Sequence, residues 1–188
     1  MKLTTVVLWA AFGVSSHAYA GLLGDTVSFA GASSGTTTFT LNSSGSAVVG
    51  NPSVEAFFCI GPNANNCLSS GFASEVNISN SAISFLFAGS NSGSTGGFTF
   101  TISGIDVPVI SVTGGGSLQQ GSFGLSSFTA SSITFAGTAA GGFAAIGGQT
   151  LTFNVGQVPE PSTWALTGFG AVLLAWSARR RFHPAKMQ

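Results

Sequence analysis

Ile83-Ser84-Phe85-Leu86-Phe87 and Phe98-Thr99-Phe100-Thr101-Ile102 decide the fold class. In both stretches the large apolar residues fall at every second position with Ser, Thr or Leu between them. A period of two puts one set of side chains on each face of an extended chain, the pattern of a half-buried β-strand. Working outward, the same alternation appears in Val27-Ser28-Phe29, Phe39-Thr40-Leu41, Ile133-Thr134-Phe135 and Leu151-Thr152-Phe153-Asn154-Val155. Val54–Ile60, Ala73–Ile78 and Val107–Val112 are further strand candidates. Turn-forming clusters separate the runs at Gly31–Gly35, Asn42–Gly45, Asn91–Gly97, Gly114–Gly116 and Gly141–Gly148. No stretch between residues 21 and 158 has a 3.6-residue period. Short strands at a spacing of about ten residues predict an all-β body, an antiparallel β-sandwich or jelly roll. A β-solenoid is the rival architecture for such a Gly/Ser/Thr-rich chain, but no fixed repeat period is present.

Fourteen of the 17 phenylalanines lie in this body, so the alternation aims a large apolar payload at one core. Burying each contributes roughly 1.5–3 kcal/mol. Charge is scarce: 5% of the 188 residues, against about 25% in an ordinary soluble domain. The formal net charge of zero is a sum over unlike segments. Residues 1–20 carry only Lys2. Residues 21–158 carry Asp25, Glu55, Glu75 and Asp106 with no Lys, Arg or His. The remainder carries Glu160 against Arg179, Arg180, Arg181 and Lys186. Trp and Tyr are absent from the body as well.

Those absences bound the chemistry. Ser-His-Asp and Cys-His catalysis need a basic partner that the body does not contain. A glycosidase pair drawn from the four carboxylates would lack aromatic sugar platforms and cationic neighbours. A calcium site would draw on the same carboxylates, yet no EF-hand-type loop is present, and Asn63, Asn65 and Asn66 match one only faintly. The bland reading of these carboxylates is solubility, as acidic residues at strand ends and turns of a hydroxyl-covered surface. A body of charge −4 with no cation repels nucleic acid, so no nucleic-acid partner is expected. No cofactor is expected either, and we expect the body not to be an enzyme. Cys59 and Cys67 flank Gly61-Pro62-Asn63, a turn that would bring the thiols together. In an exported protein a disulfide is their default state.

The two ends read differently from the body. Lys2, the apolar run Leu3–Val14 and the small residues Ala18 and Ala20 before Gly21 have the three-part order of a secretory signal. Residues 1–20 are therefore expected to form a signal helix that the Sec translocon and signal peptidase handle, with cleavage between Ala20 and Gly21. At the other end, Val158-Pro159-Glu160-Pro161-Ser162-Thr163 excludes helix at its prolines. Fifteen uncharged residues, Trp164–Ala178, follow and predict a transmembrane helix closed by Arg179-Arg180-Arg181. At ~1.5 Å per residue it would be roughly 22 Å long, short of a ~30 Å hydrocarbon core unless arginines snorkel and the bilayer thins. The arginines would mark the cytoplasmic side.

Pro159-Glu160-Pro161, the apolar helix and the arginine cluster together resemble the PEP-CTERM sorting signal of Gram-negative bacteria. The resemblance covers residues 158–181 and leaves 182–188 as a cytoplasmic tail. It implies a transient inner-membrane anchor, recognition by an exosortase (a membrane-embedded, transpeptidase-like enzyme), and release of the body at residues 21–157 to the cell surface or extracellular matrix. It implies nothing about the body itself. Three readings of the body stay open. It is a non-catalytic surface or matrix component, with exopolysaccharide as a candidate partner; a glycan- or ice-binding module presenting Ser and Thr from flat strands; or a self-assembling fibre subunit, because charge and proline guard few of its edges.

Overall fold

The computed structural model describes residues 21–41, 45–50, 54–61, 72–158 and 161–181. Gly21–Val158 forms one compact unit, and the C-terminal helix belongs to another. The body is all-β and antiparallel throughout. Its strands are β1 (Thr26–Ser33), β2 (Thr38–Leu41), β3 (Ser46–Val48), β4 (Ala56–Gly61), β5 (Phe72–Ile78), β6 (Ala82–Ser103), β7 (Val109–Gly115), β8 (Ser122–Phe128) and β9 (Ser132–Gln157). The expected alternation is realised: in β5 the buried residues are Phe72, Ser74, Val76 and Ile78, and in β6 they include Ile83, Phe85 and Phe87.

Two strands are far longer than the sequence pattern foretold. The clusters Asn91–Gly97 and Gly141–Gly148, read above as turns, lie inside β6 and β9, which have 22 and 26 residues. These two strands pair along nearly their whole length, from Ala82↔Asn154 to Ser103↔Ser132, with register shifts at Phe87/Gly89 and Ser92/Thr95. Positive φ at Gly89, Gly96, Gly141, Gly142 and Gly148 bends both strands while the ladder continues. Gly96 shows why glycine is required. Its φ is +109°, and a Cβ there would run into the carbonyl of Ser34.

The result is a single nine-stranded sheet, curled across the bend into a half-barrel. One limb is β2-β4-β5, the first half of β6, the second half of β9, and β7. The other is β3-β1, the second half of β6, the first half of β9, and β8. The two facing layers anticipated for a sandwich are therefore limbs of one sheet, joined covalently through β6 and β9. Gly114 and Gly115, also read as a turn, are paired residues of β7.

Phenylalanines from both limbs fill the fold. Phe58 of β4 stacks on Phe100 of the opposite limb at 4.9 Å, and Phe85 meets Phe123 and Phe135 edge-on, each at 4.8 Å. Phe135 and Phe153, from opposite limbs, lie 4.7 Å apart, and Phe72 joins Phe87 and Phe143 near the bend. Offset and edge-to-face rings at these distances add to the burial of their area. Phe58, Phe72, Phe85, Phe87, Phe100, Phe135 and Phe143 have no exposed surface.

Outside the body a 21-residue helix, α1, runs Pro161–Arg181. Proline is well placed at its first position, where the missing N–H costs nothing. No helix among the described residues is long and apolar enough to cross a membrane. This corrects the transmembrane helix expected over Trp164–Ala178. The uncharged run Pro161–Ala178 is diluted by Pro161, Ser162, Thr163, Thr167, Gly168, Gly170 and Ser177, and any window extended past Ala178 takes in the arginines. The signal segment 1–20, with Ala18 and Ala20, lies outside the described residues, as do Pro159, Glu160, Cys67 and the tail 182–188.

Candidate functional site

The sorting elements lie within a short reach of chain. Strand β9 ends at Gln157, and the backbone N–H of Val158 donates to the carbonyl of Pro108 at 3.1 Å. The Gln157 side chain donates to the Val107 carbonyl at 3.2 Å. The body is thus hydrogen-bonded up to the residue before Pro159. Pro161 opens α1, and Arg179–Arg181 form its last turn. Phe169, Val172, Leu173, Leu174 and Trp176 of α1 are all exposed large apolar residues. The Ser177 hydroxyl donates back to the Leu174 carbonyl at 2.8 Å, which masks one polar group on the helix.

At the other terminus Gly21, the residue after the expected cleavage point, is buried. The Leu22 N–H donates to the Asn80 carbonyl at 2.9 Å, and the Leu22 side chain is in the core.

The four carboxylates do not act as one group. Glu55 is buried and accepts from the N–H groups of Ile78 at 2.7 Å and Gly50 at 3.2 Å. It ties the end of β5 to the segment after β3. Asp25 is also buried, and its Oδ2 accepts from the Asp106 N–H at 3.2 Å. Burial pushes the Asp25 carboxyl above its ordinary value; the Asp106 N–H opposes that, and the Asp106 charge adds to it. Glu75 and Asp106 are exposed. The solubility reading therefore fits only these two, since Asp25 and Glu55 are turned inward to satisfy backbone donors. Sequence spacing carried little signal for this, because two of the three donors, Ile78 and Asp106, come from segments remote in the chain. Among the described residues no group of three or more His, Cys, Asp or Glu could hold a metal ion. Cys59 is fully buried in β4 and no described cysteine is free; its predicted partner Cys67 lies outside the described residues.

The outer surface of the β1-β6-β9-β8 limb is a grid of small uncharged side chains. Across the strands the rows read Ser28-Ser103-Ser132, Ala30-Thr101-Thr134-Ser127 and Ala32-Thr99-Ala136-Gly124. Rows are about 6.8 Å apart along the strands, and neighbours about 4.8 Å apart across them. The Thr101 and Thr134 hydroxyls bond each other at 3.0 Å, and those of Ser122 and Thr138 do so at the edge. A shallow depression of about 270 Å³ opens beside this grid, with Ser33, Ser34, Gly97, Thr99 and Thr138 among its lining. It offers hydroxyl and methyl groups and no titratable side chain.

No curated protein and no solved structure matches the chain. Residues 157–181 match the family model of the PEP-CTERM protein-sorting motif, which marks the chain for export, a transient membrane-anchored state and exosortase processing.

Proposed function

We propose that the chain is a precursor whose β body is delivered, after exosortase cleavage near Pro159-Glu160-Pro161, to the cell surface or extracellular matrix, where it serves as a non-catalytic component. The matched motif at 157–181 carries this reading. It is supported by a body that is hydrogen-bonded as far as Val158, the residue before Pro159. Signal peptidase and the Sec translocon would act at Ala18-Tyr19-Ala20, and exopolysaccharide is a matrix partner compatible with a hydroxyl-rich, cation-free surface. Replacing Pro159, Glu160 and Pro161 with alanine in a host that carries the matching exosortase should leave an uncleaved protein retained at the inner membrane. Unchanged release of the body would refute the reading. Hydrolysis of a polysaccharide or ester by the purified body would refute its non-catalytic part.

A second reading, a glycan- or ice-binding module, has one observation in its favour: the Ser/Thr/Ala grid on the β1-β6-β9-β8 limb. Its regular spacing suits ordered water or sugar hydroxyls. It predicts retention on a glycan array or reshaped ice crystals, and failure of both disposes of it.

A further inference from the structure

The open end of the folded sheet, opposite the glycine bends, gathers both chain termini of the body and most of its exposed large apolar residues. Hydrogen bonds define this end. Leu22 N–H reaches the Asn80 carbonyl, Gly24 N–H that of Val49, Ile105 N–H that of Ser131, Val109 N–H that of Ala130, and Val158 N–H that of Pro108. Asp25 bonds the Asp106 N–H, and Glu55 bonds the N–H groups of Gly50 and Ile78. Segments spread over residues 22 to 158 are thereby knitted into one surface.

Six exposed apolar side chains belong to it: Leu23, Val48, Val54, Ile110, Phe128 and Val158. Val48, Val54 and Ile110 are 62%, 53% and 58% exposed. The other exposed large apolar residues described in the body, Leu86 and Leu125, lie along strands β6 and β8, away from this end. Three of the four body carboxylates are also here, but Asp25 and Glu55 are buried against backbone donors, which leaves Asp106 as the exposed one. An apolar rim with two of its three carboxylates turned inward is costly in water and is placed where the tail departs. Val158 and Pro161 are three Cα steps apart, a reach of at most about 11 Å. In the membrane-anchored state that the sorting motif implies, the chain can hold Val158 no farther than that from the start of α1.

We propose that this end of the body is a membrane-docking surface of the precursor, seating Leu23, Val48, Val54, Ile110, Phe128 and Val158 in the lipid interface until the tail is cut. The proposal rests on the sorting reading. Lipid is the occupant because the partner must lie within reach of the tail and accept apolar groups without offering a countercharge. With no Lys or Arg in the body, attraction to anionic headgroups contributes nothing, and seating depends on apolar burial alone. Once cleaved, the body loses the tether that kept its local concentration at the surface high, and it leaves.

The body's lack of tryptophan allows a direct test. In the full chain with Trp9, Trp164 and Trp176 changed to Phe, single reporters are introduced as Ile110→Trp, Val48→Trp and, at the bend, Ser92→Trp. Each protein is bound to phosphatidylcholine vesicles containing phosphatidylcholine brominated on the acyl chains near the headgroup. We expect Ile110→Trp and Val48→Trp to be quenched at least about twofold more than Ser92→Trp, independently of salt. Two rim reporters keep the test decisive if one variant misfolds. Flotation with the vesicles together with equal or absent quenching at the three positions overturns the docking surface and leaves the sorting reading standing. Quenching that appears only when exosortase shares the vesicle overturns lipid as the occupant. Failure of the chain to float with vesicles overturns both readings.

Discussion

Replacing Phe85 with alanine tests whether the two limbs share one core. The Phe85 ring has no exposed surface and touches six others: Phe58, Phe87, Phe100, Phe123, Phe135 and Phe153, with centroids 4.8 to 6.3 Å away. Three of those, Phe100, Phe123 and Phe135, come from the opposite limb. Large-to-small replacement of a buried Phe costs about 3–5 kcal/mol, and the cost is highest where the surroundings cannot collapse into the void. Here five of the six surrounding rings are held by strands paired on both sides, with Phe123 on the edge strand β8, so the middle of that range applies, about 4 kcal/mol. Urea denaturation of the oxidised body, followed by circular dichroism, measures it. With a slope of about 2 kcal/mol per molar, the midpoint should fall by about 2 M. Phe128→Ala removes an exposed ring and should move the midpoint by less than about 0.5 M on the same slope. Equal shifts for the two variants, or a two-step transition for the parent, would refute a core shared between the limbs.

The other predictions concern the buried polar groups and the cysteines. Asp25, held above 3.8 by burial, binds its proton more tightly in the folded than in the unfolded protein. Its contribution to stability is therefore fully present below 3.8 and is lost as pH rises through the raised native value. Asp25→Asn abolishes that loss, so its stability relative to the parent should improve between pH ~3 and pH ~7, as read from denaturation midpoints at each pH. Glu55→Gln leaves one oxygen where two accept the Ile78 and Gly50 N–H groups, and should cost about 1–3 kcal/mol in the same assay. If Cys59 and Cys67 are joined, reduction should lower stability by about 2–3 kcal/mol, while a mass unchanged by alkylation under denaturing, non-reducing conditions verifies the bond.

Strand positions were legible because period-two alternation is a local property, and Ile83–Phe87, Phe98–Ile102 and Leu151–Val155 each lie within a strand. The bends were not, because a glycine cluster that ends a strand and one that bends it use the same positive-φ residues. What separates the two is a partner strand bending at the same place. Gly89–Gly96 of β6 bends beside Gly141–Gly148 of β9, a match visible only once the strands are paired. The sorting motif was legible because it is linear: the order Pro159-Glu160-Pro161, apolar run and arginines can be read along the chain, and residues 157–181 match the family model. The apolar rim was hidden for the opposite reason. Leu23, Val48, Val54, Ile110, Phe128 and Val158 look like scattered single residues until the fold brings their loops to one end.

The length of β9 also sets an order of events in time. It is the last strand of the body, and β6, β7 and β8 all pair with it. Until the residues up to 157 have crossed the membrane, the first half of β6 lacks its neighbour along one edge and β7 has no ladder at all, whereas β8 needs only residues 133–138. Pairings such as Ala82↔Asn154 span some 70 residues, and such distant contacts form late and slowly. The next segment to emerge after β9 is the sorting motif itself. Completion of the sheet and presentation of the cleavage tag therefore coincide, and a chain truncated before its final strand would offer neither a finished body nor a tag to cut.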